Sequence, residues 1–77
     1  MHINIKAKQL AFYMQKITNR EIEILQFLSK GFTDKTIALK LNISVNTVRT
    51  HRQNLRQKFN VPNTIVMIKK AQEQKVI

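Results

Sequence analysis

From Ile17 onward, apolar residues recur at helical spacing in four blocks separated by short polar punctuation. The first block, Ile22, Leu25, Phe27 and Leu28, follows Thr18-Asn19-Arg20-Glu21, which has the form of a capping box. There the Thr18 hydroxyl can accept from the backbone N–H of Glu21, while the Glu21 carboxylate reaches back. Gly31 suits the left-handed residue that stops a helix, so the first helix is expected over about 19–30. Thr33 caps a second, short helix over 34–41. Asp34 sits at its positive end, Ile37, Ala38 and Leu41 form its apolar face, and Asn42 is a left-handed stop. Ser44 caps a third helix that runs to Phe59 and is ended by Asn60. Pro62 disfavours helical geometry at Val61, which makes a turn. Asn63 then caps a fourth helix carrying Ile65, Met67, Ile68 and Ala71.

Upstream, Leu10, Tyr13, Met14 and Ile17 also fall at helical spacing, with Phe12 off that stripe. Residues 1–16 are read as an N-terminal extension, either a short packed helix or a linker. Tyr13 and Phe12 are taken as core aromatics. Residues 17–77 are the domain proper. Strand signals are confined to the brief alternation of Ile3 and Ile5, and the chain has one Gly and one Pro. The expectation is an all-α, four-helix fold with tight turns.

The second helix, the turn at Asn42-Ile43 and the third helix have helix-turn-helix spacing. Such a unit lays one helix across a nucleic-acid backbone while the next presents a face to base edges in the major groove. Wound at about 100° per residue, the third helix gathers Val45, Val48, Leu55 and Phe59 into a core stripe. The opposite side gathers Asn46, Arg49, Thr50, Gln53 and Gln57. All can hydrogen-bond and none is acidic, as a groove lined by phosphates demands. Arg49 can take guanine O6 and N7 bidentately, Gln53 suits adenine, and Thr50 and Asn46 share the face. Ser44 and Thr47 at the helix start, with Arg56 and Lys58 on opposite flanks, are candidate phosphate contacts. Arg52 lies nearer the core flank, so its head is assigned to a phosphate or to an intramolecular partner.

Charge strengthens this picture. Fourteen Lys and Arg against four Asp and Glu give a formal net charge of +10 in 77 residues, which favours a polyanionic partner. Without cysteine there is no disulfide framework or thiolate metal site. His2 and His51 are far apart, and His51 reads as a packing residue beside the core stripe. Ser44 has no His-Asp partner set and the acids form no defensible catalytic pair, so no enzyme, metal or cofactor is expected. No apolar run approaches the ~20 residues of a membrane span, and the N-terminus lacks a secretory apolar region. A soluble cytoplasmic protein is expected.

The stretches I-T-N-R-E-I-E-I-L, G-F-T-D-K-T-I-A, L-N-I-S-V-N-T-V-R-T-H and K-F-N-V-P-N, in this order, resemble the LuxR/NarL (LuxR/FixJ)-type regulators over about residues 17–77. The resemblance implies a DNA-binding response-regulator output domain with four helices, the third reading double-stranded DNA and the fourth forming a homodimer on it. Carried over residue by residue, base-facing positions fall on Arg49, Thr50 and Gln53, and backbone contacts near Ser44, Thr47 and Lys58. Ile65 and Val66 cannot both face inward with Met67, Ile68 and Ala71, so they are assigned to the dimer contact with Lys69 and Lys70. Three positions depart from the family pattern. Thr36 replaces a Glu, removing a capping carboxylate from the second helix; Arg49 replaces a Lys; Thr64 replaces an Arg near the dimer contact.

Two alternatives stay open. A sigma-factor-like or other helix-turn-helix module would act through protein contact with RNA polymerase and need no fourth-helix dimer. A protein-interaction module would turn its basic face to an acidic partner. An RNA-binding reading lacks an aromatic-bearing sheet or a Gly-rich loop.

Overall fold

The computed structural model describes residues 17–77; the readings of Leu10, Phe12, Tyr13 and Met14, and of 1–16 as an extension, lie outside the described residues. The described residues form α1 (Asn19–Ser29), α2 (Asp34–Leu41), α3 (Val45–Phe59) and α4 (Thr64–Glu73), with no strand among them.

Each helix starts where a side-chain oxygen replaces a missing backbone acceptor. Thr18 Oγ1 accepts from Glu21 N at 3.0 Å and Glu21 Oε1 accepts from Thr18 N at 2.9 Å, completing the capping box. Thr33 Oγ1 accepts from Thr36 N at 3.1 Å, and the two threonine hydroxyls lie 2.9 Å apart, so the second helix is capped without a carboxylate. Ser44 caps α3 through Thr47 N at 3.0 Å, and Asn63 caps α4 through Val66 N at 2.9 Å.

The ends share one device. A left-handed residue turns the chain so that its own N–H and that of the next residue reach back to the last turn. Gly31, Asn42, Asn60 and Lys75 hold φ of 86°, 55°, 54° and 58°. The following amides close on Phe27 O, Ala38 O, Arg56 O and Ala71 O at 2.9–3.2 Å. After α1 this places Phe32 against Phe27, with ring centroids 5.1 Å apart. Asn42 and Asn60 are stops that sequence chemistry anticipates, because Asn tolerates this region; Lys75 is not.

α3 is the central strut, packing against each of the other three helices. Ile17, Ile24, Leu25, Ile37, Ala38, Val48, Leu55, Phe59, Met67 and Ala71 form the buried core. Val48, Leu55 and Phe59 are fully buried, as the helical stripe predicts, while Val45 is half-buried at its edge. On α1 the stripe is displaced: Ile24 and Leu25 are fully buried, and Ile22, Phe27 and Leu28 only partly so. Apolar spacing in a helix with five apolar residues does not single out the 24–25 pair.

Candidate nucleic-acid interface

The chain between α2 and α3 is three residues long, Asn42, Ile43 and Ser44. It is this short because Asn42 is left-handed and Ile43 N bonds Ala38 O at 3.0 Å. Ala38 is buried at the contact, where a small side chain lets α2 and α3 approach. α3 is then pinned from below by Val48, Leu55 and Phe59, so its opposite side is left to solvent. Asn46, Thr47, Arg49, Thr50, Gln53 and Gln57 are all exposed there. The predicted base-facing residues therefore share one exposed surface, with no acidic residue anywhere on α3.

Local bonding refines the chemistry. Thr50 Oγ1 donates to Asn46 O at 3.0 Å, so its proton is committed to the helix and its oxygen remains an acceptor. At the helix start, Ser44 Oγ and Thr47 Oγ1 lie 2.8 Å apart. The first turn of α3 has no acidic side chain to neutralise the positive end of the helix, which favours an anion there.

The flanks of α3 differ from what the helical wheel alone suggests. Arg52 Nε and Nη2 donate to Asp34 Oδ1 and Oδ2 at 3.1 and 2.8 Å, a two-point grip on the first residue of α2. Its Nη1 also reaches Thr64 Oγ1 at 3.4 Å, linking the start of α4. Of the two fates open to Arg52, phosphate or intramolecular partner, the free domain takes the second. Lys58, expected to face phosphates, has its Nζ 2.6 Å from Glu21 Oε1. Glu21 is the single buried charged residue among those described, so this pair has a strong claim on the ammonium. Arg56 Nη1 donates to Pro62 O at 3.2 Å across the α3–α4 turn. Arg49 is the exposed cation, with its Nε 3.7 Å from Asp34 Oδ2 and its side chain 58% accessible. His51 is half-buried beside the core stripe.

From local spacing alone, Asp34 has only a role at the positive end of a helix, and Glu21 only a capping role. Both turn out to hold cations of α3, across 18 and 37 residues of chain. No local spacing signals pairs that distant.

On α4, Ile65 and Val66 are exposed at 80% and 39%, Lys69 is exposed, and Lys70 Nζ bonds Phe59 O at 2.9 Å. Lys70 thus satisfies a carbonyl at the end of α3 while lying beside the aliphatic surface. Among the described residues there is no helix long and apolar enough to cross a membrane and no cluster of three metal-ligating side chains.

A capped, centrally buried helix with an acid-free exposed face, preceded by a short helix and a three-residue turn, defines a helix-turn-helix DNA-binding domain. The chain belongs to the family of bacterial regulatory proteins called the luxR family, which its residues 15–71 match. It is accordingly a DNA-binding transcription-regulator domain, of a family that is not enzymatic. It is 48% identical over 56 residues to the "Uncharacterized response regulatory protein YgeK" of Escherichia coli K12, covering 73% of this chain and 38% of that protein. It is 36% identical over 61 residues to the "Oxygen regulatory protein NreC" of Staphylococcus carnosus, covering 79% of this chain and 28% of NreC. The fold matches a solved structure of the response regulator ChrA of a heme-sensing two-component system, at TM-score 0.76 and 41% identity, covering 79% of this chain and 30% of ChrA. The chain thus spans well under half the length of these relatives.

Proposed function

We propose that this domain regulates transcription by inserting α3 into the major groove of a specific duplex site. The observation that carries the reading is the exposed, acid-free side of α3, held rigidly because its other side is fully buried. Arg49 forks onto guanine O6 and N7, Gln53 pairs with adenine one turn later, and Thr50 and Asn46 complete the base-facing set. Ser44, Thr47 and Arg56 line the phosphates. Arg52 and Lys58 border the same backbone path, but their heads serve Asp34 and Glu21 first.

Dimerisation on DNA through α4 is part of the reading. Ile65 and Val66 leave adjacent aliphatic surface exposed, and Lys69 and Lys70 border it. A two-fold dimer reads half-sites of inverted symmetry. Ile65→Asp then abolishes the cooperativity of binding to paired half-sites while single half-site affinity persists; retained cooperativity rejects this interface. The site of action is the bacterial cytoplasm, where RNA polymerase is the machinery to be regulated.

The base-reading role is tested with Arg49→Ala. Affinity for a selected cognate duplex falls by about 1–3 kcal/mol and affinity for random duplex much less. Equal losses on both rule out base reading by Arg49.

A further inference from the structure

We propose that Asp34, which sits on α2 and not on the reading helix, is a specificity-determining positioning residue that sharpens base selection by governing two arginines of α3. The proposal rests on the reading of α3 as the base-contacting helix.

A carboxylate next to a DNA-facing surface opposes binding, because it repels the phosphates its neighbours attract. Of the four acidic residues in the described chain, Glu21 is buried beneath the surface, while Asp34 borders the exposed side of α3. Its position has a compensating geometry. Both carboxylate oxygens are gripped by Arg52, through Nε at 3.1 Å and Nη2 at 2.8 Å, and Oδ2 also lies 3.7 Å from Nε of Arg49. Arg49 and Arg52 are three residues apart, one turn along the same flank of α3.

The two arginines are affected differently. Arg52 is withdrawn: its guanidinium is spent between Asp34 and Thr64, so a cation that would grip any phosphate is removed from sequence-independent binding. Arg49 is oriented: Asp34 draws its Nε edge and leaves the Nη1–Nη2 end free, the end that matches guanine O6 and N7. One carboxylate therefore lowers affinity for arbitrary DNA and raises discrimination at the base pair read by Arg49. The same bridge joins α2, α3 and α4, and a purely structural bridge would treat all duplexes alike.

The test uses the 77-residue domain with its preferred duplex selected from a pool with a randomised centre. The Arg49-dependent base pair is the one whose preference Arg49→Ala erases. Binding of the wild type, Asp34→Asn and Asp34→Glu is then measured on the selected duplex, on the duplex changed at that pair, and on a scrambled duplex, over a range of salt. Asp34→Asn binds the scrambled duplex about threefold or more tightly, with a salt slope steeper by about one. Its preference at the Arg49 pair drops by about tenfold, and Asp34→Glu restores most of it. Asp34→Ser removes the same charge and keeps a short polar residue at the helix start, so it replaces Asn if that variant does not fold. Uniform weakening on all three duplexes, or a preference at that pair unchanged from wild type, overturns the proposal alone. A wild-type domain that enriches no sequence overturns the base-reading role of α3 and this proposal with it.

Discussion

Val48, Leu55 and Phe59 on one side of α3 are fully withdrawn from water, whereas Asn46, Arg49, Thr50 and Gln53 on the other are exposed. One helix thus carries its anchor and the proposed reading face half a turn apart. Between the two faces run flanks that belong to neither: Arg52 is held by Asp34 of α2, and Lys58 by Glu21 of α1. A helix held only by apolar packing can rotate slightly at modest cost. Two directional ion pairs, on opposite flanks and to different helices, fix its rotation about its own axis. The orientation of the proposed reading face is thus set from the sides, by side chains whose charges are committed within the protein.

Mutations should separate along these lines. Phe59→Ala removes the largest fully buried side chain and costs about 3–5 kcal/mol, a large part of the stability of a domain this small. Thermal unfolding followed by helical circular dichroism should show a collapse of the transition; a near-unchanged midpoint would mean that the buried side is not the anchor. Lys58→Ala strands the buried Glu21 carboxylate and costs about 1–3 kcal/mol in urea unfolding. The salt slope for random DNA stays as in wild type. A slope flatter by about one, with stability intact, would place this lysine on a phosphate instead. Gln53→Ala leaves the unfolding free energy within about 0.5 kcal/mol, because it is exposed, while reducing discrimination between cognate and random duplexes. Lys75→Gly relieves a left-handed non-glycine residue and stabilises the domain by about 1 kcal/mol. A loss of stability there would mean that the lysine side chain contributes more than its backbone strain costs.

The legible parts of this molecule are those decided within a few residues. Thr18, Thr33, Ser44 and Asn63 announce helix starts because each cap acts on an amide three positions on. Asn42 and Asn60 announce ends because few other side chains suit positive φ. The two sides of α3 follow from helical geometry alone. The ion pairs escape such reading, since whether Arg52 meets Asp34 or a phosphate depends on how α2 crosses α3. The same holds for Ile24 on α1, whose burial is decided by a neighbour rather than by the spacing of its own helix. Lys75 escapes for a different reason: its backbone is imposed by the docking of Val76 and Ile77 on the core, against its own preference.

The most direct measurement is an amide and side-chain chemical-shift titration of the domain with its selected duplex. The account predicts that Asn46, Arg49, Thr50 and Gln53 shift or broaden first and most, while Leu25 and Met67 in the core move little. Large shifts confined to α1 or α4, with α3 silent, would contradict it.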